Sequence, residues 1–250
     1  MNEEKTLLKI NYKDYPEFMF AMISAYLPKD EGEHLRRAAG EVVFRHTDDS
    51  GNTYKNGVLH SYHDRPAVIV DDSHQWYRDG QLHREGDLPA VIEADICEWY
   101  KNGVLHREED NPAIIDGDDY KSWYKNGVLH RDGDNPAVID GDDYKSWYKN
   151  GVLHRDGDSP AVINDDNRQW WKNGKLHREG DLPAVIDNEY REWWVDGNRH
   201  REGDSPAYIR GTVEQLWYKH GHLHREGDLP AVINGDRQEW WVNGQKIKIT

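Results

Sequence analysis

From Tyr54 onward, apolar and polar residues alternate in short bursts separated by turn-forming pairs. That is the period-2 signature of strands, with no sustained helical periodicity. One phrase, W-[WY]-x-[ND]-G-x-L-H-R-x-G-D-x-P-A-V-I, recurs with its leading tryptophan at Trp76, Trp99, Trp123, Trp147, Trp170, Trp193, Trp217 and Trp240. Spacings of 23 or 24 residues place it among solenoids and arrays, in which no unit buries its apolar face alone. From the Trp to the closing Ile the separation is fixed at 16 positions, as in Trp76 to Ile92 and Trp123 to Ile139. Length changes collect in segments such as DGDDYKS, NDDNRQ and RGTVEQL, which this pattern assigns to exposed turns.

Within one repeat, Asn102-Gly103 is flanked by strand-forming residues, and a type I′ turn needs positive φ at both central positions. The two-residue loop sets the register: Lys101 faces Val104, Tyr100 faces Leu105 and Trp99 faces His106. The partner of the second aromatic is Leu except at Arg199 and Lys246. Downstream, Pro112 opens a short Ala-Ile-Ile run that reads as a third strand.

Upstream, Phe18, Met19, Met22, Ile23, Tyr26 and Leu27 recur at helical spacing until Pro28, and a second short helix fits Glu33 to Ala39. Glu41 to Phe44 reads as a strand. The expected fold is mainly β: an elongated, single-sheet antiparallel meander or solenoid with a short α-helical N-terminal cap. Residues 1–40 form the cap, and residues 41–250 hold about eight full repeats plus a terminal half repeat. The boundary coincides with a change in composition, since all three Phe and all three Met lie in the first 44 residues and every Trp lies in the array.

A formal charge of −15 argues against binding a phosphate backbone or an anionic membrane, both of which need clustered cations. The single Cys97 excludes an intrachain disulfide. No run approaches the ~18 apolar residues of a membrane-spanning helix, and the acidic start lacks a signal peptide's basic region. These features point to a soluble intracellular protein.

The candidate chemistry is periodic. Trp99, His106, Arg107, Trp123, His130, Arg131, Trp147, His154, Arg155, Trp170, His177 and Arg178 form an aromatic and cationic ladder, the candidate interaction surface. Arg and Asp three residues apart, as Arg131 and Asp134, suit a charge-assisted pair within one loop. The His ladder at 10–14 Å spacing is too open to share a metal ion. Asp116 to Asp119 lacks the spacing of a calcium loop. A catalytic constellation needs one convergent set, whereas here each attractive residue recurs in nearly every repeat. No enzyme activity and no cofactor are expected.

The tandem hairpins with aromatic-x-[ND]-G turns resemble MORN repeats. The phrase H-R-[ED]-G-D-[LNS]-P-A-V-I, as at His177 to Ile186 and His224 to Ile233, resembles the MORN-like arrays encoded by large DNA viruses of amoebae. The resemblance covers about 195 residues and implies an elongated β scaffold that binds or organises proteins. The segment with Pro16, Ile23, Leu27 and Pro28 faintly resembles an F-box, which would imply a ubiquitin-ligase adaptor with the array as substrate receptor. The leading expectation is a non-enzymatic scaffold with a protein partner, in the host cytoplasm or a virion. It would act as a homo-oligomer or within a larger particle. The rivals are the adaptor and an acidic decoy for nucleic-acid-binding proteins.

Overall fold

The computed structural model describes residues 45–249, which contain strands, turns and loops and no helix. The chain divides into two compact units, residues 1–81 and 82–250. In the first, Thr53–Lys55 pairs with Arg45–Thr47 and with Val58–Leu59, and Val68–Val70 forms a hairpin with Ser73–Gln75. The expected helices, the strand at Glu41 to Phe44, and Pro16, Ile23, Leu27 and Pro28 lie outside the described residues.

The second unit shows how a repeat is built. Ile114–Asp116 turns back into Tyr120–Ser122, whose other edge pairs with Val138–Asp140. The pattern continues strand by strand from Val91–Glu93 to Gln245–Ile249 as one antiparallel meander. Each repeat contributes two strands, so repeats advance by about 10 Å.

Two expectations need correction. The Asn-Gly hairpins have the expected register, Tyr100 with Leu105 and Lys101 with Val104, but they form separate two-stranded sheets beside the meander. The second strand of each repeat in the main sheet comes instead from the variable segment read as an exposed turn, as at Tyr120–Ser122, Asn167–Gln169 and Glu214–Leu216. Cys97 likewise sits in a strand, Ile96–Glu98, as a half-buried free thiol. Length variation is confined to the few residues ahead of that strand.

The core is a row of alternating Ala and Trp. Ala113 accepts a backbone bond from Trp123's predecessor in the row, Trp99, and Ala137 accepts one from Trp123, both at 2.8 Å. Ala113, Ala137, Ala161 and Ala184 are fully buried. Each stands between bulky indoles, where any larger side chain would overpack the row. Val138, Val162 and Ser122 are buried on the opposite face of the sheet.

Each hairpin turn also docks on the preceding repeat through two successive N–H groups. Asn126 donates to His106 Nδ1 at 3.1 Å, and Gly127 donates to the Leu105 carbonyl at 2.8 Å. The left-handed φ values of 51° and 80° at these residues are what turn both N–H groups toward the neighbour. Gly151 holds the same conformation, with φ at 80° and room for a methyl group against Val128. Gly151→Ala therefore isolates backbone strain from crowding. It should destabilise the second unit by about 1–2 kcal/mol in a urea titration; no change would remove the turn's conformational requirement.

Candidate functional site

The aromatic and cationic ladder lies between repeats. Trp99, Trp123, Trp147 and Trp170 are only 6–8% exposed. Over each lies an arginine, with Arg107, Arg131, Arg155 and Arg178 centred 3.7–3.9 Å from their indoles. The Arg–Asp pair within one loop is corrected by the geometry. Arg131 Nε and Nη2 donate to both carboxylate oxygens of Asp110 in the preceding repeat, at 2.6 and 2.9 Å, while Nη1 donates to the Pro136 carbonyl. Arg107 with Asp87, Arg155 with Asp134 and Arg178 with Asp158 repeat the arrangement. A residue 20 or 21 positions away outcompetes one three away because the indole fixes the guanidinium plane facing its neighbour.

Only a planar fork can occupy this clamp. A lysine at position 155 keeps the charge but loses the stacking and the two-point grip. We expect Arg155→Lys to cost about 1–2 kcal/mol in chemical denaturation. A variant as stable as the parent would show the clamp to be ornamental.

Each His completes the junction. His130 Nδ1 accepts the Asn150 N–H at 3.0 Å, and its Nε2 lies 2.9 Å from Asp132, which Lys125 also contacts. With Nδ1 accepting, the neutral ring carries its hydrogen on Nε2 and donates it to the carboxylate. His106, His154 and His177 repeat this with Glu108, Asp156 and Glu179. Hydrogen bonds from Lys125 and His130 hold the Asp132 carboxyl down to about 2, and Lys101 with His106 brings Glu108 to about 2. The arginine forks also hold Asp87, Asp110, Asp134 and Asp158 below the ordinary carboxylate range.

Several functional pairings had little sequence signal. Gln169, Glu192 and Glu239 accept the indole N–H of Trp171, Trp194 and Trp241. Glu192 also accepts from Arg199 at 2.8 Å, and Glu239 lies 3.0 Å from Lys246. Thus the two cations that replace the usual Leu each sit against a glutamate. The acidic loop takes two forms. Asp87, Asp110, Asp181 and Asp228 have positive φ, and their carbonyls accept the next repeat's core indole at 3.0–3.1 Å. At Asp134 that bond lengthens to 3.4 Å, and the indoles of Trp170 and Trp217 find no partner.

The face left free is a different row. Along the sheet Ile115, Lys121, Ile139, Lys145, Ile163, Arg168, Ile186, Arg191 and Ile209 stand opposite one another in unbroken succession. All are half-buried or exposed. Lys121 and Arg168 reach only backbone carbonyls, those of Asp118 and Asp166. Among the described residues, Lys121, Lys145, Arg168 and Arg191 form no ion pair with a carboxylate. The hairpin lysines Lys101, Lys125, Lys149 and Lys172 all do. In a chain of charge −15, these four cations stand in a row of half-buried isoleucines without a carboxylate partner among the described residues.

Among the described residues no group of three or more His, Cys, Asp or Glu converges to hold a metal ion, and no helix is long and apolar enough to cross a membrane. The chain matches no protein-family model and no curated protein.

Proposed function

We propose that this protein is a non-enzymatic scaffold that binds another protein along the isoleucine and basic row of its sheet. The observation that carries the reading is the division of labour within each repeat. Trp, Arg, His and the loop Asp hold neighbouring repeats together, while Ile and Lys or Arg line one continuous row in which, among the described residues, the cations have no carboxylate partner. A partner presenting carboxylates between apolar side chains, at a spacing of about 10 Å, would complement it in charge and in hydrophobicity. The MORN-like resemblance favours a structural or accessory component of a large DNA virus, found in infected cytoplasm or in the particle.

Crosslinking mass spectrometry in cells that make the protein tests this reading. Lysine crosslinks to the partner should fall on Lys121 and Lys145. Charge reversal of Lys121, Lys145, Arg168 and Arg191 to Glu should abolish co-purification of the partner and its crosslinks to every remaining lysine, without lowering thermal stability. Partner crosslinks concentrated on Lys101, Lys125 and Lys149 and indifferent to the reversal would move the interface to the hairpins and end the proposal.

A further inference from the structure

The hairpin turns carry a reaction of their own. In an Asn-Gly pair the Gly nitrogen can attack the Asn side-chain carbonyl carbon: the new C–N bond closes a succinimide, and the amide nitrogen leaves as ammonia. Water then opens the ring at either carbonyl, giving Asp or isoAsp. Glycine favours the step because it has no side chain to hinder the approach. The array holds Asn-Gly in hairpin turns at 56–57, 102–103, 126–127, 150–151, 173–174 and 243–244, all exposed, and once more outside the hairpins at 234–235.

We propose that these turns are latent deamidation sites, gated by the contact between repeats, and that their aspartyl product fits the folded array. Three independent features support this. First, the attacking nitrogen is occupied. Gly127 donates its N–H to Leu105, Gly151 to Leu129, Gly174 to Leu153 and Gly244 to Leu223, all at 2.8–2.9 Å. Second, the preceding Asn is pinned in the left-handed region, and its own N–H is bound to a His of the previous repeat, as Asn150 to His130. Reaching the cyclic geometry requires rotating the peptide between Asn and Gly, which breaks the docking bond. The turn must therefore leave its neighbour before it can react.

Third, the chain already contains the product. Asp79-Gly80 and Asp196-Gly197 occupy the same turn, with φ of 48° and 50° at the Asp. Gly80 and Gly197 keep the bond to Leu59 and Leu176 at 2.8 and 2.9 Å. The Asp N–H groups also keep the docking bond to the histidine of the previous repeat, Asp79 to His60 Nδ1 and Asp196 to His177 Nδ1, both at 3.1 Å. IsoAsp would instead lengthen the backbone by one carbon inside a two-residue turn and misplace both docking N–H groups. Aspartyl conversion is thus tolerated, and isoaspartyl conversion leaves a turn unable to re-dock.

The test is peptide mapping by mass spectrometry after incubation at mildly alkaline pH and 37 °C, with the native protein compared against the protein in denaturant. Conversion at Asn126, Asn150 and Asn173 should be at least roughly tenfold slower in the native protein, tracking the rarity of local opening. His130→Ala removes the acceptor for the Asn150 N–H and should accelerate conversion at Asn150 while Asn126 stays slow. If that variant is broadly unfolded, all sites accelerate together, and the native-against-denatured ratio decides alone. Asn126→Asp should keep the parent's thermal midpoint. Equal rates in the two states would overturn the gating, and a destabilised Asn126→Asp would overturn the tolerance of the product.

Discussion

Trp147→Ala should lower the unfolding free energy of the second unit by about 3–5 kcal/mol, the range for deleting a buried aromatic side chain. The indole at 147 is 6% exposed and stands in the row between Ala137 and Ala161. It is also the platform on which Arg155 lies, 3.9 Å from the ring centre. Its removal leaves a cavity too large for the small neighbours to fill and frees the guanidinium that grips the preceding repeat. Because a repeat array is held by nearest-neighbour contacts, the loss at one junction also weakens its cooperativity. Urea denaturation followed by far-UV circular dichroism measures the effect. Ile139→Ala, on the half-exposed row, should cost far less, about 1 kcal/mol. Similar losses for the two variants would mean that the Ala–Trp row is not the core.

Acid should unfold the array over a narrow range. The carboxylates gripped by arginine forks, and Glu108 and Asp132 gripped by Lys and His, all have folded values depressed below their ordinary ones. A depressed value means the unfolded chain takes up protons first, so the stabilisation is complete above the unfolded values and disappears as pH falls through the folded ones. From these carboxylates, stability should fall steeply between about pH 4.5 and 2. The repetition of the pairs makes the fall steep, since the slope grows with the number of additional protons the unfolded chain binds. Asp134→Asn removes one such group and should flatten the curve of unfolding free energy against pH. A stability that rises on acidification through this window would show that repulsion among the excess carboxylates, rather than their pairing, dominates.

The hairpins were the most legible part of the chain, because Asn-Gly turns encode their own register and the Tyr100–Leu105 pairing follows from local rules. The Ala-Val-Ile strand was legible for a similar reason, its β-branched run being the sheet's apolar contribution. The strand at Tyr120–Ser122 was hidden. Backbone pairing is indifferent to side-chain polarity, and a strand with one solvent-facing row carries polar residues such as Lys121 at its centre. The same blindness concealed the isoleucine and basic row, whose members lie far apart in sequence and meet only through strand pairing. Arg131 and Asp110 illustrate a further limit: the repeat supplies an Asp near every Arg, so spacing within one repeat cannot tell an internal contact from one that crosses to the neighbour.

That crossing is the most direct target for measurement. Double-mutant cycles on unfolding free energy should compare Arg155→Ala combined with Asp134→Ala against Arg155→Ala combined with Asp158→Ala. The structure places Asp134 of the preceding repeat on the Arg155 fork and gives Asp158 to Arg178. The first cycle should show a coupling of about 1 kcal/mol and the second a value within about 0.5 kcal/mol of zero. Coupling to Asp158 alone would confine each clamp to its own loop and contradict an array latched repeat to repeat.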